Sequence, residues 1–155
     1  MKRNIWPTTL VLIVFAMFVV NTVPSANAQC SMSGVAGTYG FTATGTLLLP
    51  TGPVLIAAVG RITLRVDGSL SGTEARSVGG DFANETLKGT WTVNSGCAGT
   101  ATAQVFQSGA LVRISVLPFV VDDNMREIRV VQKSLTLPDG TNVPAVITFE
   151  VKRLL

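Results

Sequence analysis

The chain has 155 residues, with 12 Lys plus Arg, 9 Asp plus Glu, two Cys and no His. Hydrophobic residues make up 47% and charged residues 14%, which excludes a disordered chain and fits one domain with a targeting segment. The lack of His removes Ser-His-Asp and Cys-His catalysis and His-ligated metals, and two Cys cannot form a four-cysteine zinc site.

Lys2 and Arg3 precede an apolar run from Leu10 to Val20, and a polar stretch then ends in Ala26-Asn27-Ala28. Positive, apolar and small residues in that order are the pattern of a signal peptide, here cleaved after Ala28. The run is too short for a spanning helix, which needs about 20 residues. Residues 27–29 lack the small residue expected immediately before a lipidated cysteine at Cys30. The expectation is a signal peptide at 1–28 and a single domain at 29–155, secreted or periplasmic, with no membrane span after cleavage. Losing Lys2 and Arg3 takes the 12 basic side chains to 10, against 9 acidic ones. That near-neutral balance gives no basis for a nucleic-acid partner. Export also places Cys30 and Cys97 in an oxidising compartment. With no His to activate a thiol, the pair is expected as a structural disulfide closing a long loop, worth about 4 kcal/mol.

From residue 38 onward the chain reads as eight strands rich in Thr, Val, Ile and Gly. The first, 38–49, ends at Pro50-Thr51-Gly52-Pro53, and the second, 54–66, at Asp67-Gly68. The third, 69–78, ends at Gly79-Gly80, the fourth, 84–93, at Asn94-Ser95-Gly96, and the fifth, 98–107, at Ser108-Gly109. The sixth, 110–121, ends at Asp122-Asp123-Asn124, the seventh, 125–137, at Pro138-Asp139-Gly140, and the last runs 143–153. Short connections join antiparallel neighbours, because parallel pairs need long crossovers. The fold class is therefore all-β, an eight-stranded antiparallel up-and-down barrel. The alternative is a β-sandwich, which would show a longer Greek-key connection.

Alternation supports closure around an apolar lumen. Ile147, Phe149 and Val151 oppose Thr148, Glu150 and Lys152; Leu87, Trp91 and Val93 oppose Lys88, Thr90 and Thr92. An outer-membrane barrel would turn its apolar face outward and carry aromatic girdles, which this chain lacks.

Several segments together resemble a group of uncharacterised secreted bacterial proteins. They are Gly37-Thr38-Tyr39-Gly40-Phe41, Gly60-Arg61-Ile62-Thr63 running to Asp67-Gly68, Leu70-Ser71-Gly72-Thr73, Gly89-Thr90-Trp91-Thr92-Val93-Asn94, Cys97-Ala98-Gly99-Thr100-Ala101 and Arg126-Glu127-Ile128-Arg129. By architecture that group is similar to small barrels of the allene oxide cyclase and lipocalin-like type. The resemblance implies a fold and brings no catalytic residue with it.

The third strand is the ambiguous one. Leu70, Gly72, Glu74, Arg76 and Val78 share one face, and Ser69, Ser71, Thr73, Ala75 and Ser77 the other. Inward, Glu74 and Arg76 would place a charge pair in the lumen; outward, they would be a solvated pair. Because charged residues are seldom fully buried, the outward orientation is favoured, with a small-residue wall facing the lumen. The candidate ligand-binding residues are Tyr39, Glu74, Arg76 and Trp91. Tyr39, the only Tyr, and Trp91 also read as core residues. Asp122-Asp123-Asn124 reads as a turn rather than a metal site, and no cofactor or metal is expected. Three functions remain: a barrel binding a small apolar ligand, a filled barrel with a structural or cell-surface role, and a cofactor-free isomerase or cyclase acting on a hydrophobic substrate. Catalysis is the least supported of these.

Overall fold

A computed structural model describes residues 30–122 and 124–155. The segment read as a signal peptide, together with Gln29 and Asp123, lies outside the described residues. A one-turn helix α1 (Met32–Val35) leads into β1 (Gly37–Leu49), β2 (Gly52–Leu64), β3 (Ser69–Val78), β4 (Asp81–Val93) and β5 (Ala98–Gln107). There follow β6 (Ala110–Asp122), β7 (Glu127–Val131), β8 (Ser134–Thr136) and β9 (Ala145–Arg153). All pairings are antiparallel. The order β5-β4-β3-β2-β1-β9-β7-β6-β8 is closed into a barrel by the β5–β6 pairing. No helix of the described residues is long and apolar enough to cross a membrane.

Turn chemistry sets the register. Gly79 and Gly80 both have positive φ, as do Ser108 and Gly109. Two-residue loops with positive φ match the right-handed twist of the flanking strands, so they fix the β3–β4 and β5–β6 hairpins. The register then aligns inward side chains at each level: Tyr39 with Ile62, Ala43 with Ala58, Leu64 with Leu70, and Leu87 with Val105.

The seventh strand departs from the sequence expectation. In place of one strand over 125–137 there are two, β7 and β8, laid end to end along β6. On β6, Phe119 pairs with Val130, while Ile114 pairs with Thr136, so the chain carries one extra residue between them. That is a bulge, and a one-residue slip exchanges the two faces of a strand. Ile128 and Gln132 are buried before it and Leu135 after it.

The two ends of the barrel differ. The end holding the chain entry and the β2–β3 and β4–β5 turns is sealed by α1. The Tyr39 hydroxyl donates to the Val35 carbonyl at 2.5 Å, and Trp91 Nε1 donates to the Arg65 carbonyl at 3.0 Å. Arg153 donates to the Ala36 carbonyl and lies over the Tyr39 ring. The Cys30–Cys97 disulfide ties the start of the domain to the β4–β5 turn, as expected from the cysteine count. The opposite end carries the β1–β2, β3–β4 and β5–β6 turns.

Cys30 and Cys97 are 67 residues apart, so cross-linking them removes much loop-closure entropy from the unfolded chain. Replacing both with serine is expected to lower the unfolding free energy by about 4 kcal/mol. Urea unfolding reads this as a lower midpoint. An unchanged midpoint would show that the disulfide contributes nothing to holding the sealed end.

Candidate ligand site in the barrel lumen

The structure corrects the orientation favoured for β3. Leu70 pairs with Leu64 and Gly72 with Ile62, so both follow the inward face of β2. Glu74 and Arg76 share that parity and point into the barrel, opposite Gly60 and Ala58. The small residues from Ser69 to Ser77 face outward, so no small-residue wall of β3 lines the lumen. The physical reason is that the buried charges have partners. Register alone decides the face of a strand once one apolar anchor such as Leu70 is buried.

Glu74 sits directly across from Glu85 of β4. Like charges in such a pair repel, and the lumen compensates with two arginines. Arg113 of β6 donates through Nη2 to Glu74 Oε1 at 2.5 Å. The same Nη2 lies 2.7 Å from Glu85 Oε2. Arg76 Nε donates to Glu85 Oε1 at 2.6 Å, and Arg76 Nη1 is 3.9 Å from the exposed Asp81 carboxylate. The Glu85 side chain is 0% exposed and that of Glu74 6%, so neither is hydrated enough to be ionised without these cations. Glu85 Oε2 accepts no hydrogen bond in the structure and is held by its closeness to Arg113.

The two carboxyls diverge in acidity. Burial pushes Glu74 up to about 7; Arg113 opposes this, while the hydrogen bond to Glu85 and the charge of Glu85 add to it. Burial also acts to raise Glu85, but the close guanidinium of Arg113 and the hydrogen bond from Arg76 outweigh it and hold Glu85 below the ordinary carboxylate value. Near neutrality Glu85 is the anion of the pair, and Glu74 is poised to gain or lose a proton.

Beside this cluster the lumen holds a cavity of about 90 Å³. Its walls are mostly apolar, with Phe41, Ile62, Leu87, Ala103, Phe119 and Phe149 among them, and its polar groups are Glu74, Arg113, Ser115 and Gln132. Gln132 Nε2 donates to Ser115 Oγ at 3.0 Å and to the Ser134 carbonyl at 2.9 Å. Pockets for drug-sized ligands start at about 300 Å³, whereas an apolar cavity of about 150 Å³ takes benzene. At about 90 Å³ the space is smaller than one that takes benzene, so it suits an occupant of a few heavy atoms, or a few waters.

Of the four candidate ligand residues, Glu74 lines the cavity and Arg76 stands behind it, paired to Glu85. Tyr39 and Trp91 are buried at the sealed end, where they bond to backbone carbonyls and do not line this cavity. The burial of Tyr39 raises its phenol, against the lowering effect of Arg153. Sequence reading missed Glu85, Arg113, Ser115 and Gln132. A signal for them existed. Glu85 has the parity of Leu87 and Trp91, and Arg113 and Ser115 have the parity of Phe119 and Val121.

No protein-family model matches the chain, and no curated protein matches it. Among solved structures, it is similar to EF1p2_mFAP2b bound to DFHBI, with TM-score 0.52 and 10% identity over 80% of this chain and 97% of that one. A redesigned beta barrel, mFAP1, bound to DFHBI, gives TM-score 0.48 and 16% identity over 79% and 98% of the two chains. Such identities speak to the barrel fold alone. The resemblance to secreted bacterial proteins and to allene oxide cyclase barrels likewise carries no further than that architecture.

Two consequences follow from the cluster. Glu74 is raised above its unfolded value of 4.5, so between that value and 7 the native state keeps a proton that the unfolded chain has released. Stability therefore falls as pH rises from about 5 to 8, by up to about 3 kcal/mol, and Glu74→Gln flattens that slope. Urea unfolding at a series of pH values measures it, and an equal slope in both proteins would contradict the assignment. Glu85 works in the opposite sense: the stability it contributes is lost as pH falls below the ordinary carboxylate range. Glu85→Ala, which leaves Arg113 with Glu74 alone and Arg76 with only the distant, exposed Asp81, is expected to cost about 3–5 kcal/mol by the same measurement.

Proposed function

We propose that the protein is an exported barrel that binds one small, largely apolar ligand in its lumen. The observation that carries this reading is the cavity: sealed at one end and apolar on most sides, with a few polar groups entering it from β3, β6 and the β7–β8 junction. Convergence of a few polar groups in an apolar cavity is the usual form of a small-molecule site. The space exists because alanines at 43, 58, 101 and 103 stand where larger side chains would fill a barrel solid. A neighbouring fold, EF1p2_mFAP2b, is itself bound to DFHBI, which supports the use of such a barrel for a ligand. The disulfide supports export to an oxidising compartment, secreted or periplasmic.

A second reading has one specific observation in its favour. Two adjacent carboxyls displaced in opposite directions are the arrangement that acid–base enzymes use. In that case Glu74 would move a proton on a hydrophobic substrate, as in a cofactor-free isomerase.

The binding reading is tested by titrating the protein with small apolar compounds such as xenon and cyclopropane, followed by NMR shifts of Ala103 and Phe119. Saturable shifts at these lining residues are expected, and they are lost in a folded Ala103→Leu variant whose side chain occupies the space. Absence of any lumen shift would favour a filled structural barrel. Conversion of a bound compound would move the protein to the isomerase reading.

A further inference from the structure

We propose that the ligand is a small carboxylic acid, bound as its carboxylate against Arg113, and that Glu74 takes up a proton as it binds. This rests on the lumen-binding reading and adds the ligand's chemical class.

Two of the cavity's polar side chains, Arg113 and Ser115, have hydrogens to offer. Arg113 reaches both glutamates through Nη2 alone. Its Nε and Nη1 meet no acceptor among the described residues, although the side chain lines the cavity and is only 14% exposed. A guanidinium has five N–H donors in a planar fork that matches a carboxylate. Ser115 Oγ accepts from Gln132, which leaves its own hydrogen to donate. A carboxylate on a short apolar body would meet these donors with its charged end and the phenylalanines with its apolar end.

Charge balance sets the proton. The groups facing Glu74 are Arg76 on its own strand, Glu85 on β4 and Arg113 on β6; the residues opposite on β2, Gly60 and Ala58, carry no charge. Asp81, 3.9 Å from Arg76, is 83% exposed and its charge is screened by water, so the buried groups decide the balance. With both glutamates ionised, the two buried arginines are matched. With Glu74 neutral, one positive charge in the lumen has no buried counter-charge, and an entering anion supplies it. Anion binding and protonation of Glu74 are therefore linked, and each favours the other. An amine would meet Arg113 and be repelled, and a neutral amide would forgo the charge-assisted bonds.

The experiment is calorimetric titration of the protein with acetate and isobutyrate, beside acetamide, isobutyramide and isopropylamine, at pH 6, 7 and 8. Two buffers of different ionisation enthalpy are used at each pH. The acids are expected to bind about tenfold or more tightly than their amides. Their affinity should weaken about fivefold from pH 7 to pH 8, following the protonated fraction of Glu74. The binding heat should depend on the buffer because a proton is taken up. Glu74→Gln, which resembles the neutral carboxyl, should bind isobutyrate with no dependence on pH or buffer. Amides binding as well as acids, or acid binding that is independent of pH, would overturn the inference and leave lumen binding standing. If no compound binds, amides and xenon included, the lumen-binding reading itself fails.

Discussion

Two carboxylates face each other across β3 and β4 inside a nearly dry barrel, and the fold tolerates them only because two guanidinium groups reach the same spot. One of these, Arg76, is local to β3. The other, Arg113, is 39 residues from Glu74 in sequence and arrives only because β5 pairs with β6 and closes the wall. Closure and the charge cluster thus depend on each other. An open sheet would leave Glu74 without Arg113, and a closed barrel without Arg113 would bury an uncompensated acid pair.

The rest of the molecule divides the labour around that cluster. At the sealed end, α1, the disulfide, Tyr39 and Trp91 satisfy backbone groups and exclude water with large side chains. Toward the middle of the lumen the side chains shrink to alanine, and the space they leave lies against Glu74, Arg113, Ser115 and Gln132. The bulge between β7 and β8 contributes as well. It comes immediately after Gln132, which bonds Ser115 across to β6, and it resets the face of the strand so that Leu135 is also buried. The site is thus formed where strand regularity gives way.

Much of the fold was legible because turns announce themselves. Gly79-Gly80 and Ser108-Gly109 bounded their strands, and residues 69–78 and 98–107 are strands as read. The disulfide was expected from two cysteines in a chain read as exported, and Cys30 and Cys97 are so paired. The site was less legible. On β3 neither face is fully apolar, so period-two alternation had little to act on, and the rarity of buried charge pointed the wrong way. Glu74 is buried because of a partner that no local window contains. Glu85 and Arg113 did carry the parity of buried neighbours, but a charged residue in step with an apolar face reads as an exception until its counter-charge is located. Gln132 was hidden by treating residues 125–137 as one regular strand.

The measurement to make is an NMR titration of the side-chain carboxyl carbons of Glu74 and Glu85 in the folded protein. If the lumen holds one carboxyl poised near neutrality beside a permanent anion, Glu74 titrates at about 7 and Glu85 below its ordinary 4.5. Two ordinary titrations near that value would mean that water reaches both groups. The closed, charge-paired lumen described here would then be wrong.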